Sequence, residues 1–257
     1  MAKKGGTDLM ILEAAVINGD GVGPEMMEPA LDVLKAVCHK TGCGLKLYPV
    51  EAGGAALESK GCPLPEDSLK ICREVPAVLF GNTGLKKYQS LSLDKRPEAA
   101  LMRLRRGLGV TTNIRPVRYY PSLGSFSPLK DRVLSKGLDF VFVRDIVGGV
   151  LCSEKVCTQG DFGQEAYEYE YYNEKIVMDT ASIAFRLAAL RNKSVTNLDK
   201  SNVLESSRLW RQTIERAAGD YPDITLDHLI LIMAMRIRIA PLFDVIVTSN
   251  LFGASYR

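Results

Sequence analysis

Apolar residues in this chain fall into two rhythms that alternate along its first hundred positions. Ala14 to Ile17 is a continuous apolar run bounded by Gly19, Gly21 and Gly23, the pattern of a buried strand followed by a tight turn. Pro24 can open a helix, because the N–H it lacks is unneeded in a first turn. Met26, Pro29, Ala30, Val33, Leu34 and Val37 then recur at helical spacing. "GLKLYPVEAGG" predicts the next strand, "LPEDSLKICREV" a short helix and "PAVLFGNTG" a third strand ending in a glycine loop. Strands that alternate with helices imply a parallel α/β sheet.

The second half repeats the alternation with longer pieces. "RPEAALMRLRRGLGV" predicts a helix, "TTNIRPVRYYPS" a strand and "PSLGSFSPLK" a loop. "DFVFVRDIVGGVL" is a buried strand with an arginine at its end. "TQGDFGQEAYEYEYYNEKIV", rich in tyrosine and polar alternation, suits an extruded hairpin arm near 152–173. Amphipathic patterns predict two long helices, at about 176–192 and 203–218, suited to a dimer interface. Phe243 to Thr248 has the pattern of another buried strand, with Asn250 to Gly253 as the loop after it.

Composition narrows the function classes only a little. The 257 residues are 46% hydrophobic and 25% charged, with a net charge of +3. That charge is too weak to argue for nucleic acid or an anionic membrane. No apolar run reaches the ~18 residues of a membrane span, and no signal-peptide core follows the basic N-terminus. A cytoplasmic protein is expected. Cys38, Cys43, Cys62, Cys72, Cys152 and Cys157 do not form zinc-ribbon pairs. Cys38 and Cys43 beside His39 could hold a metal, but reduced thiols account for all six more simply.

The residues with chemical promise are arginines and one lysine. Arg105 lies on the helix after the third strand, Arg115 ten residues on in "TNIRP", and Arg144 ends "FVFVR". Arginine is suited to bidentate carboxylate recognition, and three converging would suit a diacid. Each alone is ordinarily a surface charge, although Arg144 follows an apolar run. Lys200 stands two residues before Asn202 at a strand-to-helix turn, where it is either a proton donor and acceptor or a solvent-facing loop lysine. "GDGVGP" lacks the G-x-G-x-x-G spacing of a Rossmann loop.

Taken in order, "NGDGVGPE", "PLPEDSL", "RPEAALMRLR…NIRPVRYYP", "VRDIVGG", "DKSNVLESSRLWR" and "FDVIVTSNLFG" make the chain resemble the β-decarboxylating hydroxyacid dehydrogenases, and among them the isopropylmalate branch. The likeness runs from about Leu12 to Gly253. It implies oxidation of a 2-hydroxy diacid with NAD, then decarboxylation assisted by Mg²⁺ or Mn²⁺. By the resemblance, Arg105, Arg115 and Arg144 bind substrate carboxylates. Lys200 is the catalytic lysine and reaches across from the second subunit of a homodimer. Asn202 and Glu98 meet the nicotinamide end of the cofactor. Leu101, one helical turn from Arg105, and Val203 line an alkyl pocket. A third carboxylate set against such a wall would be strongly disfavoured, which selects 3-isopropylmalate over isocitrate. Substrates of the isocitrate, homoisocitrate or tartrate type are a further alternative.

Several positions depart from the family pattern. The catalytic tyrosine expected two residues after "GG" is Leu151. The first metal aspartate is expected four residues after a histidine, where Ile232 follows His228, and Asp227 stands on the wrong side of that histidine. The other two aspartates follow "NLFG" in the family, whereas Gly253 precedes Ala-Ser-Tyr-Arg here. No metal ligands are assigned, and the adenosine loop is not found. The expected architecture is a two-domain isopropylmalate-dehydrogenase-like α/β fold with parallel or mixed sheets. Its first domain, 1–104, lacks its C-terminal part, its second spans 105–245, and 246–257 is a truncated return to the first. Three functions fit these expectations: an oxidative decarboxylase, a catalytically inactive diacid-binding or dimer-partner paralogue, and an unstable fragment.

Overall fold

The computed structural model describes residues 10–230 and 243–255. The chain divides into two compact units between Val110 and Thr111, a few residues past the expected boundary.

The first unit contains β1 (Ile11–Gly19), α1 (Gly23–Thr41), β2 (Gly44–Pro49), α2 (Gly54–Lys60), α3 (Glu66–Glu74), β3 (Ala77–Asn82) and α4 (Ala99–Gly107). Its sheet has the order β2-β1-β3 and is parallel throughout, with Ala14 opposite both Leu47 and Ala77. Ala15 and Ile17 of β1 share one core with Leu69 and Cys72 of α3 and with Ala100 and Leu104 of α4. Ala14 and Val16 point to the opposite face, as strand alternation requires.

α1 begins at Gly23–Pro24 and ends where Gly42 adopts a left-handed φ of 71°, a conformation that favours glycine. The stripe read from the sequence is not its buried side. Met27 and Cys38 are buried, while Met26, Val33 and Val37 are 57%, 64% and 51% exposed. Three strands are narrower than this 19-residue helix needs to cover both of its apolar edges.

The second unit contains β4 (Thr112–Arg118), α5 (Asp131–Leu134), β5 (Asp139–Asp145), β6 (Lys155–Gly160), β7 (Gly163–Glu168), α6 (Glu174–Ala189), β8 (Ser194–Asp199), α7 (Glu205–Ala218), β9 (Thr225–Ile230), β10 (Val245–Thr248) and α8 (Asn250–Ser255). Its five-stranded sheet runs β4-β5-β10-β8-β9. β4 is antiparallel and the other neighbours are parallel. One face carries Val141, Val143, Val195, Val245 and Val247, packed on Phe185 of α6 and on Trp210 and Ile214 of α7. Burying such side chains contributes about 1.5–3 kcal/mol each. The other face holds the smaller cluster of Phe140, Leu198 and Ile246 with Phe142 beside it.

α6 starts at Asn173, whose side chain accepts the Ile176 N–H at 3.0 Å, a standard way of satisfying a first-turn donor. The expected arm is the antiparallel β6–β7 hairpin, whose Gln159 pairs with Gln164. Phe162 at its tip is wholly exposed. The serine-rich loop contains a short 3-10 turn, Pro121–Phe126.

Residues 246–255, expected as a return to the first unit, belong to the second. β10 sits in the middle of the second sheet, between β5 and β8, and α8 packs on β5. A strand of four buried apolar or small residues finds most partners at the centre of a sheet. α2, α5 and β9 were not expected from the sequence, and Asn250–Gly253, expected as a loop, lies in the helix α8.

Candidate functional site

Arg115 and Arg144 come from neighbouring strands of the second unit and share one face. Arg144 pairs in register with Asn113, and Arg115 with Phe142, so the two arginines are diagonal neighbours, roughly 7 Å apart at the backbone. Arg144 is also level with Thr248 of β10. Both strands β5 and β10 end here, and ligands of open α/β sheets collect beyond such C-terminal ends.

Arg144 is held from the side by Asn250. Its Nε donates to the Asn250 backbone oxygen at 2.9 Å, and its Nη2 donates to Oδ1 at 2.8 Å. The Asn250 amide in turn donates through Nδ2 to the Gly148 carbonyl at 2.9 Å. Its backbone N–H donates to the Tyr172 hydroxyl at 2.9 Å, and that hydroxyl donates to Asp145 Oδ2 at 3.0 Å. Asp145, fully buried, also accepts the N–H groups of Val147 and Gly148. Burial pushes the Asp145 carboxyl above its usual range, against the lowering effect of those donors. Burial, then the Asp145 charge, holds the Tyr172 hydroxyl protonated far above its usual range. A Cβ on Gly253 would lie 2.7 Å from Arg144 Cγ, so α8 can pack against this arginine only because the residue is glycine. The hydroxyls of Thr248 and Ser249, buried at the same strand end, have no hydrogen-bond partner among the described residues.

Lys200 follows β8, two strand spacings from β5 in the same sheet, or roughly 10 Å. Its carbonyl accepts the N–H groups of Val203 and Leu204, both at 3.0 Å. Asp199, 1% exposed, braces this turn. It accepts the Ser201 N–H at 3.0 Å and both arms of Arg211, at 2.8 and 2.9 Å. Bidentate pairing of this kind fixes geometry as well as charge. Asn202 and Val203 are exposed at the turn, Val203 by 61%. Leu151, where a hydroxyl is expected, is an exposed apolar side chain.

The first unit carries Glu98, Leu101 and Arg105. Glu98 precedes α4 and is exposed, while Leu101 and Arg105 are half-buried one turn apart on the helix. A Cβ on Gly84 would meet Glu98 Oε1 at 2.5 Å, so the loop after β3 lies directly on this carboxylate. Asp20, from the glycine turn after β1, accepts the Gly54 N–H at 2.8 Å and the Gly84 N–H at 3.1 Å. One buried carboxylate thus ties together the loops that follow all three strands. Sequence reasoning overlooked Asp20, Asp145, Tyr172, Asp199 and Asn250. Asp20, Asp145, Asp199 and Asn250 each stand inside one of the quoted motifs, "NGDGVGPE", "VRDIVGG", "DKSNVLESSRLWR" and "FDVIVTSNLFG", whereas Tyr172 had no such signal.

Among the described residues, no group of three or more His, Cys, Asp or Glu could hold a metal ion. Ile232 lies outside the described residues. The chemistry that can be assigned to the described residues is that of the arginines and the lysine. Cys38, Cys43, Cys62, Cys72 and Cys157 are free thiols. No helix among the described residues is long and apolar enough to cross a membrane.

A family model described as isocitrate/isopropylmalate dehydrogenase matches residues 13–255. A 3-isopropylmalate dehydrogenase from Clostridium acetobutylicum is 44% identical over 243 residues, covering 94% of this chain and 68% of the relative. One from Aliivibrio fischeri is 41% identical over 243 residues, covering 93% and 67%. Among solved structures, an isocitrate dehydrogenase from Methylococcus capsulatus is similar with a TM-score of 0.78 at 28% identity, over 94% of this chain and 68% of that one. A β-decarboxylating dehydrogenase from Thermococcus kodakarensis gives 0.72 at 26% identity, over 95% and 66%.

Proposed function

Because the chain belongs to the isocitrate/isopropylmalate dehydrogenase family, we propose that it acts on 3-isopropylmalate, as an NAD-dependent oxidative decarboxylase working as a cytoplasmic homodimer. The observation that carries this reading is the pair Arg115 and Arg144 on one sheet face, in a chain 44% identical to a 3-isopropylmalate dehydrogenase. In the second unit, these guanidinium groups bind a carboxylate of the diacid, with Arg144 held in place by Asn250. Lys200 holds or moves a proton at Nζ. In the first unit, Arg105 takes a carboxylate and Leu101 favours an alkyl group, as does Val203 in the second. Glu98 and Asn202 are the polar groups for the nicotinamide end of NAD. When bound, NAD accepts the hydride lost from the hydroxyl-bearing carbon.

The test is the near-ultraviolet absorbance of NADH on mixing the full chain with 3-isopropylmalate, NAD and Mg²⁺. Formation above the background of Lys200→Ala is the expected result. One observation favours a second reading, a diacid-binding paralogue without turnover: Leu151 offers no hydroxyl to donate a proton. Calorimetric binding of 3-isopropylmalate with no NADH formed would replace the first reading by this one.

A further inference from the structure

Behind the Lys200 turn lies a buried polar chain whose hydrogen-bond directions can all be assigned. Trp210 Nε1 donates to Asn197 Oδ1 at 2.8 Å. An indole nitrogen only donates, so this bond fixes which end of the Asn197 amide is oxygen. Asn197 Nδ2 then donates to Asp199 Oδ2 at 2.7 Å and faces His228 Nδ1 at 3.0 Å. Asn197 is fully buried, and its two amide protons go to these two acceptors. His228 Nδ1 must therefore be unprotonated, with the ring proton on Nε2, which lies 3.3 Å from Glu215 Oε1.

We infer that Asn197 and His228 are positioning residues for Lys200, and that protonating His228 disturbs the Lys200 turn through Asn197 and Asp199. A proton on Nδ1 would set an N–H against the Asn197 N–H. Turning the amide over would relieve that clash only by setting its nitrogen against the Trp210 N–H and its oxygen against the Asp199 carboxylate. Keeping the amide as it is loses the Asn197–His228 bond, and turning it over loses the Asn197–Asp199 bond, so either arrangement disturbs the assembly around Asp199, which also holds the Ser201 N–H.

Among the described residues, the charged groups facing His228 are Asp199 from β8, Arg211 and Glu215 from α7, and Asp227 from β9 itself. Burial and Arg211 oppose protonation, the three carboxylates favour it, and the balance lowers the His228 value below its ordinary 6.5. The chain has one tryptophan and two histidines, so each reporter in this assembly can be followed without ambiguity.

This inference rests on the reading of Lys200 as the proton-transfer group. Its test does not need turnover. The full chain, labelled with nitrogen-15, is titrated with acid while the Trp210 indole N–H and the Ser201 amide are followed by NMR. Both resonances are expected to move with one midpoint, equal to that of the His228 ring. They should stay at their neutral-pH positions in His228→Gln, whose side-chain oxygen can accept from Asn197 but does not titrate. His39→Gln, in the other unit, should leave the titration unchanged. Resonances that stay still while His228 titrates in the wild-type chain overturn the inference, as do resonances that still move in His228→Gln. A coupled titration without NADH formation keeps the positioning role and removes the catalytic one.

Discussion

Asn250 uses its side chain and both of its backbone polar groups to hold something else: Arg144, Gly148 and Tyr172. Removing a partner from a charged hydrogen bond costs about 1.5–3 kcal/mol. Asn250→Ala is therefore expected to weaken 3-isopropylmalate binding about tenfold, read by calorimetry; unchanged affinity would show that Arg144 does not meet the ligand. Gly253→Ala should act in the same direction, because its new methyl group displaces Arg144. His228 gives a pH dependence of defined sign. Its folded-state value lies below 6.5, so the folded chain binds fewer protons than the unfolded one as pH falls. The stability present above 6.5 is lost as pH drops through the folded value. Urea midpoints measured across this window should fall with acid in the wild-type chain and stay level in His228→Gln. Arg144 and Lys200 could be singled out in the sequence by their strand-end positions, but Arg105, on α4, and Arg115, inside β4, only by residue type and motif. Their braces were not legible, because Arg144 and Asn250 are 106 residues apart and only the fold makes them neighbours.

The strand and helix elements of the two units were legible wherever one period dominated. α6 showed its helical face because Val177, Ala181, Ala184, Phe185 and Ala188 all turn inward. β9 did not, because its pattern mixes Thr225, Asp227 and His228 with apolar residues, and His228 is held there by a polar network. α2 was missed because glycines stand at both its ends and only seven residues lie between. In α1 the period was right and the buried side was wrong, since periodicity fixes a stripe but not which edge of it meets a sheet. The packed centre of α7 offers a direct test of the second unit. Ile214 is fully buried among the sheet valines and α6, and Ile214→Ala should lower the unfolding free energy by about 2–5 kcal/mol in a denaturant titration.

For the molecule as a whole, the two-unit α/β plan was readable from the order of its elements, but the membership of its last segment was not. The local sequence of β10 says "buried strand" and cannot say in which sheet. The exposed edge of α1 has its own consequence at this scale. Contiguous apolar surface promotes association, so Val33→Lys should reduce concentration-dependent light scattering while leaving the circular dichroism spectrum unchanged. The central place of β10 bears on how the chain comes to be folded. It is synthesised after every other described strand, yet β5 and β8 reach each other only through it. While the chain is still emerging from the ribosome, each of those strands has an open hydrogen-bonding edge, the state most prone to wrong pairing. The second unit must wait for β10 before its sheet can close, and a chaperone that shields those two edges during synthesis would raise the yield of folded protein more than one that acts afterwards.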